Sequence, residues 1–159
     1  MKTTDSIRES YSWSTTHITR YLVFTYYSYQ RFLAKRLREL EIGISYYPVL
    51  LYLYQMSSNS DAQEFSQAHL SRETAQDKGL LSRSLKKLLN HGYVSIRTNP
   101  ENGSSSLVGI TDSGMEVATK IAGFVDEWEH DYWDVAVDDE DKEACLKAIQ
   151  AMSVRILED

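Results

Sequence analysis

The chain has few of the residues that break or cross-link a fold. Its 159 residues include one cysteine, two prolines and seven glycines. A lone Cys145 cannot form an intrachain disulfide, which favours a reducing compartment, and scarce proline and glycine favour long helices. The longest apolar stretch, residues 49–54, is too short to cross a bilayer, and residues 1–14 lack the apolar core of a signal peptide. We therefore expect one soluble, cytoplasmic domain without membrane contact.

Charge is unevenly distributed along the chain. The net charge is −6, yet residues 66–97 contain six Lys or Arg and two Asp or Glu, whereas residues 113–159 contain four and thirteen. A basic block beside an acidic tail is typical of a protein that places one face on phosphates and keeps the rest away from them. The negative total therefore does not exclude nucleic acid as a partner.

Apolar side chains recur every three to four positions in six segments, which predicts six helices. The segments are residues 15–41, 45–56, 66–74, 78–90, 111–135 and 138–156. Gly43 and Gly92 are expected to end the first and fourth helices, and residues 57–61 have the composition of a loop. Side chains with N-cap chemistry mark four helix starts: Ser45, Asp77, Thr111 and Asp138.

Two strands follow the fourth predicted helix. Residues 93–98 and 106–111 alternate apolar and polar side chains around a loop that contains Asn102-Gly103, which predicts a β-hairpin. Two short helices followed by a hairpin are the parts of a winged helix-turn-helix. The predicted fold class is thus mainly α with a small β-hairpin wing (α+β).

The predicted organisation is one domain over residues 1–159, with a winged-helix lobe at residues 42–112. Residues 1–41 and 113–159 form long flanking helices. These helices carry more apolar surface than so small a lobe can cover, and pairing with a second copy would bury it. We therefore expect a homodimer held by the first, fifth and sixth helices.

Residues 43–114 resemble the MarR family of bacterial regulators. Each matching motif is short, but the ordered set is specific, and no gap is needed from Ser66 to Gly114. The motifs are Gly43-Ile44-Ser45, Ser66-Gln67 with Leu70, Asp77-Lys78, Leu81-Ser82-Arg83, Leu85-Lys86-Lys87-Leu88, His91-Gly92-Tyr93-Val94, Asn99-Pro100-Glu101-Asn102, and Ile110-Thr111 with Gly114. The resemblance implies a homodimeric transcriptional repressor that binds palindromic double-stranded DNA.

The fourth predicted helix carries the side chains that DNA recognition needs. Lys78, Ser82 and Lys86 are spaced to share one face, with Arg83 beside them. Arg83 is the best candidate for a base contact because its guanidinium matches guanine O6 and N7. Phosphate contacts suit the other cations and the start of the third helix. The predicted DNA-binding residues are Ser66, Gln67, Lys78, Gly79, Ser82, Arg83, Lys86, Lys87, Arg97, Asn99, Asn102 and Ser104.

The wing departs from the family pattern. Its loop reads Asn102-Gly103-Ser104-Ser105, without the arginine that relatives insert into the minor groove. In the fourth helix, Gly79 replaces the small hydroxyl residues common there, at a cost of up to about 1 kcal/mol of helix stability. A second interpretation therefore stays open: a winged-helix protein-interaction module with weak or no DNA binding, in which the neutral wing and the acidic tail contact a partner protein.

Aromatic side chains crowd the first and second predicted helices. Core and dimer packing account for most of them. The family resemblance also implies a small aromatic effector, bound where the first, second and fifth helices meet the DNA lobe. Tyrosine hydroxyls and a histidine on that wall would orient it, and the candidate residues are His17, Tyr21, Tyr46 and Tyr47.

Other chemistry has little support in the sequence. Cys145 has acidic neighbours, which disfavour a reactive thiolate. One group of possible metal ligands has the spacing of a solvated helix face instead: Glu127, His130, Asp131 and Asp134. There is no Gly-rich phosphate loop, nucleophile elbow or acid–base pair. We therefore expect no enzyme activity, no metal and no cofactor.

Overall fold

The computed structural model describes residues 18–59 and 64–158. In chain order its elements are helix α1 (Ile18–Leu37) with a 3₁₀ turn (Arg38–Leu40), α2 (Tyr47–Asn59), β1 (Glu64–Ser66), α3 (Gln67–Glu73), α4 (Lys78–Asn90), β2 (Val94–Thr98), β3 (Ser106–Ile110), α5 (Asp112–Trp128), a π-helix (Glu129–Asp134) that continues α5, and α6 (Asp139–Glu158). This mainly helical chain with a small sheet confirms the predicted fold class. Within the described ranges, no helix combines the length and apolarity of a membrane span.

The end of the first helix differs from the prediction. Glu41 adopts the left-handed conformation (φ 56°), and its N–H donates to the carbonyl of Arg38 at 3.2 Å. The helix is therefore ended by Glu41 and not by Gly43. Gly43 leaves room for an aromatic ring instead, because a Cβ built there would lie 2.9 Å from the ring of Tyr46.

The bounds of α2 also correct the prediction. The helix begins at Tyr47, so Ser45 precedes it by two positions and is not its N-cap. Ser57 and Ser58, predicted as part of a loop, are helical, and their hydroxyls donate to the carbonyl of Tyr54 at 2.9 and 3.1 Å. A serine that bonds back to its own helix escapes a prediction based on loop composition.

The other helix starts agree with the sequence. Asp77 accepts the N–H of Leu80 at 2.8 Å, and Thr111 accepts that of Gly114 at 3.1 Å. Asp138 similarly accepts from residue 141 at 2.9 Å. Each carboxylate or hydroxyl satisfies a backbone donor that the first helical turn leaves open. The predicted caps of the fourth, fifth and sixth helices are confirmed.

The wing is a three-stranded antiparallel sheet in the order β1-β3-β2. The predicted hairpin supplies β2 and β3, which place Ile96 opposite Val108. The third strand, β1, was not predicted, because three residues are too few to show alternation. It pairs Phe65 with Val108 on the far side of β3. The sheet therefore joins the wing to the start of α3.

One continuous core holds the lobe together. It is formed by buried side chains from α1, α2, α3, α4, the sheet and α5: Leu33, Leu37, Ile42, Val49, Leu50, Leu53, Leu70, Leu81, Leu85, Leu88, Val94, Val108, Ala118 and Ile121. Gly114 allows α5 to lie against the sheet, because a Cβ there would fall 2.0 Å from the carbonyl oxygen of Tyr93. Helix α6 contributes no buried residue.

Candidate nucleic-acid interface

Helix α4 has one buried face and one cationic face. Leu81, Leu85 and Leu88 are 1%, 2% and 1% exposed. The polar and charged side chains of the opposite side are exposed: Lys78, Ser82, Arg83, Lys86 and Lys87. The structure thus brings these five predicted contact residues onto one outward surface, which we call the α4 surface.

Buried polar contacts fix how α4 sits in the lobe. The hydroxyl of Ser84 is fully buried and donates to the backbone carbonyl of Ser45 at 3.1 Å. Gln76, also buried, donates to the same carbonyl from its side-chain nitrogen at 2.7 Å. Without these hydrogen bonds, the buried hydroxyl of Ser84 and the buried amide of Gln76 would carry an uncompensated desolvation cost. Sequence reasoning missed both residues because neither is apolar or cationic.

The cations of the α4 surface are not neutralised by the rest of the lobe. Among residues 18–59 and 64–158, Lys78, Arg83, Lys86 and Lys87 form no ion pair. Gly79 makes room beside them, since a Cβ there would lie 3.5 Å from Nη1 of Arg83 and 3.1 Å from the capping carboxylate of residue 77. Nη1 of Arg83 therefore lies close to the first turn of α4.

The start of α3 is arranged differently from α4. Ser66 is the N-cap, and its hydroxyl oxygen accepts the N–H of His69 at 3.2 Å. Gln67 is exposed. His69 stacks on Phe65 at 5.0 Å between ring centroids, and its Nε2 lies 2.6 Å from the hydroxyl of Tyr52. These contacts tie α3 to α2 and β1.

Arg97 on β2 is held by an acid from the far strand of the sheet. Its Nε lies 2.8 and 2.9 Å from the two carboxylate oxygens of Glu64 on β1, and a terminal nitrogen also contacts that carboxylate. The hydrogen bonds from Arg97 lower the pKa of Glu64 below its usual value. Because β1 was not predicted, nothing in the sequence indicated that these residues would meet.

The polar side chains of the wing loop bond to their own turn. Asn99 accepts the backbone N–H of Glu101 at 3.0 Å. Asn102 accepts both the backbone N–H and the hydroxyl of Ser104, at 3.2 and 2.6 Å. Such bonds are typical of residues that shape tight turns. The three predicted wing contacts are thus exposed or half-buried, but their oxygens are already engaged locally.

The candidate effector residues are spread over the structure. His17 lies outside the described residues. Tyr47 packs edge-on against Tyr29 at 6.3 Å between centroids, and burial raises the pKa of both. Tyr46 covers Gly43, whereas Tyr21 is 47% exposed, two helical turns, or about 12 Å, along α1 from Tyr29. The structure brings together only Tyr46 and Tyr47, which are adjacent in the chain.

Comparison with curated proteins gives a short match. No family model matches the chain. A segment of 55 residues is 40% identical to an uncharacterized HTH-type transcriptional regulator, YdgJ, of Bacillus subtilis (strain 168). The match covers 35% of this chain and spans only 34% of the length of that relative.

Comparison with solved structures covers most of the chain. A MarR transcriptional regulator from Methanosarcina mazei Go1 matches with a TM-score of 0.77 at 23% identity, over 89% of this chain and 96% of that one. A MarR protein from Peptoclostridium difficile gives 0.78 at 18%, over 92% of each chain. The S. aureus MepR–DNA complex gives 0.72 at 14%, over 87% and 98%.

These likenesses agree with the resemblance seen in residues 43–114. The relatives whose names state a role are transcriptional regulators, in agreement with the expectation that the chain is not an enzyme. All three structural identities lie below 25%, so the likeness is one of fold. The chain has the fold of the MarR-family transcriptional regulators.

Proposed function

We propose that the chain is a DNA-binding transcriptional repressor that acts as a homodimer on palindromic double-stranded DNA in the cytoplasm. The observation that carries this proposal is the α4 surface, whose unpaired cations face outward while the leucines of the same helix are buried. A helix of this kind enters the major groove of B-DNA and reads base edges there. A MepR structure with the same fold was solved as a DNA complex.

The α4 surface is expected to make two kinds of contact with DNA, one to bases and one to phosphates. Arg83 has the planar fork that fits guanine O6 and N7, so it is assigned a base contact. Lys86 and Lys87, further along α4, are assigned to phosphates, which fix position without reading sequence. The wing adds less, because Arg97 is paired with Glu64 and no other cation lies on residues 94–110.

The homodimer is supported by apolar side chains that no part of the described chain covers. On α1 and α6 these include Ile18 at 61%, Leu146 at 55% and Ile156 at 65% exposed. Exposed apolar patches of this kind mark interaction sites. A second copy that covers them would place two α4 surfaces on one duplex, about 34 Å apart, in successive major grooves.

Control by a small aromatic effector is the remaining part of this proposal. In Bordetella bronchiseptica BpsR, whose structure has the same fold, DNA binding is regulated by 6-hydroxynicotinic acid. In the present chain, Tyr29, Tyr47 and Trp128 form a connected aromatic group at the junction of α1, α2 and α5. Salicylate-like compounds are expected to weaken DNA binding, and no change in DNA affinity would contradict an effector of this class.

DNA binding is tested by fluorescence anisotropy with duplexes from the chain's own promoter region. Arg83→Ala is expected to cost about 1–3 kcal/mol, or roughly 5- to 150-fold in affinity, and to relax specificity at one base pair. Arg83→Lys keeps the charge but loses the fork, so it should retain non-specific binding and lose the preference. Arg155→Ala on α6 is the matched control and should leave affinity unchanged.

Two outcomes would contradict the proposal. Equal losses of DNA affinity for Arg83→Ala and Arg155→Ala would show that binding depends on net charge and not on a base contact made by Arg83. Absence of duplex binding by the folded wild-type protein would favour the protein-interaction module. The neutral wing and the acidic segment from residue 113 onward are the features that support that second candidate.

A further inference from the structure

A cavity of about 480 Å³ lies between α1 and the π-helix, away from the α4 surface. Its lining consists of five aromatic and two hydroxyl side chains, with neither aliphatic nor charged residues: Phe24, Thr25, Ser28, Phe32, Trp128, Tyr132 and Trp133. The volume falls within the range of small-molecule sites, about 300–1,000 Å³. It is distinct from the tyrosines at residues 46 and 47, which do not line it. We call it the aromatic cavity.

The π-helix forms one wall of the aromatic cavity. In a π-helix, backbone bonds join residues five apart, so side chains five positions apart come to the same face. Trp128 and Trp133 are separated by five positions and both line the cavity. Tyr132 stands between α1 and α5, 5.5 Å from Trp128 and 6.4 Å from Phe32 between ring centroids. The planes of Tyr132 and Trp128 are tilted by 35°, and those of Tyr132 and Phe32 by 86°.

The wall that carries these rings is strongly acidic. Residues 126–134 contain five Asp or Glu and no Lys or Arg. Partial burial and the negative charges of Asp126 and Asp134 raise the pKa of Glu129, which is next to Trp128. Within the described residues, no three His, Cys, Asp or Glu side chains are grouped so that they could hold a metal ion. An added positive charge here would relieve repulsion between like charges.

The cations beside this wall are already matched by acids. Arg36 on α1 pairs with Glu127, and its guanidinium carbon lies 3.5 Å from the ring centroid of Phe32. Lys142 on α6 pairs with Asp134 at 3.1 Å. The ring of Phe32, which lines the cavity from α1, thus already has a cation against its face. Two of the five acids of residues 126–134 pair with these cations: Glu127 and Asp134.

We propose that the aromatic cavity binds a monovalent organic cation with an apolar body, such as an aryl-alkyl quaternary ammonium or a bulky amine. The ring faces of Trp128, Tyr132 and Trp133 would contact the cation through their π-systems, a mode used for quaternary ammonium recognition. Glu129 would supply the long-range attraction. A phenolate of the kind expected for the tyrosine group would be repelled by the same acids. The cavity shares Trp128 with the Tyr29–Tyr47–Trp128 group, so the two ligand classes are distinguished by their charge and not by separate places on the chain.

The proposal is tested by isothermal titration calorimetry of the full chain without DNA. The probes are benzyltriethylammonium, a neutral aryl-alkyl isostere of the same shape, and salicylate. The cation should bind about tenfold more tightly than the isostere, as expected for a desolvated cation–π contact. Glu129→Gln should lower the affinity for the cation severalfold and leave that for the isostere unchanged. Glu116→Gln, an exposed acid elsewhere on α5, is the charge-matched control and should alter neither.

A shape-altering variant completes the test. Trp133→Leu should reduce binding of both the cation and the isostere at least tenfold, and its helicity and mass in solution show whether it is folded. Three results would overturn the proposal: equal affinity for cation and isostere, equal effects of the two Gln variants, or no binding of the cation. If the cation does not bind and Trp133→Leu also changes the oligomeric state, the cavity would be assigned to side chains of a second copy. Since DNA is absent, these outcomes are independent of whether the chain binds DNA.

Discussion

Helices α4 and α6 have similar sequence patterns but opposite environments. Each carries an apolar stripe at helical spacing and charged residues on its other side. The stripe of α4 is buried, with Leu85 at 2% exposure, whereas α6 has no buried residue and leaves Ile156 65% exposed. An apolar stripe therefore predicts that a face will be covered, but not by which chain. The fold of the lobe buries the stripe of α4, whereas the described residues leave that of α6 uncovered.

The largest expected effect comes from deleting a leucine on the buried side of this comparison. Leu85→Ala should lower the free energy of unfolding by about 2–5 kcal/mol, because it leaves a cavity in a packed core. Urea denaturation should show this loss at every protein concentration. Leu146→Ala on α6 makes the same deletion at a site 55% exposed. Its effect should depend on protein concentration and vanish on dilution to monomer, so a concentration-independent loss would mean that α6 packs within its own chain.

A charge placed on the exposed stripe tests what covers it. Ile156→Glu should weaken dimerisation by at least about 100-fold, equivalent to roughly 3 kcal/mol, because a carboxylate would be buried at the interface without a partner. Sedimentation velocity over a dilution series measures the change. Ala151→Glu introduces the same charge on the opposite side of α6 and separates a specific contact from general repulsion. A monomeric wild-type protein, or equal dissociation of both variants, would remove the support for the proposed dimer.

Much of the fold could be predicted because the signals are local. The buried stripe of α4, the caps at Asp77 and Thr111, and the Asn102-Gly103 turn each act within a few residues. The left-handed Glu41 was missed because Gly43 carried the stronger local signal for a helix end. The short strand β1 was missed because its pairing partner lies more than forty residues away.

Only part of the candidate site could be predicted, because only part of it depends on signals that act within a few residues. The outward cations of α4 follow from the helical period alone. The pairing of Arg97 with Glu64 and the burial of Ser84 depend on long-range packing. The presence of Trp128 and Trp133 in one cavity lining depends on π-helical winding. The sequence places an arginine, Arg97, on the first strand of the predicted hairpin. It does not show that the arginine already has a carboxylate partner.

A smaller effect is expected from the exposed cations of the same two helices. Lys86→Ala should weaken DNA binding evenly across sequences and reduce the slope of log affinity against log salt by about one unit, because one phosphate contact and its released counterion are lost. Lys147→Ala removes the same charge from α6, where Lys147 pairs with Glu143 at 2.6 Å. It should leave the salt slope unchanged. Equal slopes for wild type and Lys86→Ala would exclude a phosphate contact at Lys86.

The smallest effect is expected at the Glu64–Arg97 pair, which decides whether the wing contributes a cation. The pKa of Glu64 is lowered by Arg97, so the contribution of the pair to stability is present above the usual Glu pKa and is lost as the pH falls through the lowered value. A carboxyl NMR titration should give a midpoint for Glu64 below its usual 4.5. At neutral pH the acid therefore stays ionised and holds Arg97 away from phosphates.

Glu64→Gln should release Arg97 and raise DNA affinity by a few-fold, in keeping with the gain of one phosphate contact. Glu101→Gln is the matched control, since it removes an acid from the wing without releasing an arginine. The double variant Glu64→Gln with Arg97→Ala should return affinity to the wild-type level, because it removes one acid and one base and leaves the net charge unchanged. If Glu64→Gln and Glu101→Gln raise affinity equally, only the loss of negative charge matters. The wing of this chain would then act as a neutral support, and α4 alone would carry the cations that meet DNA.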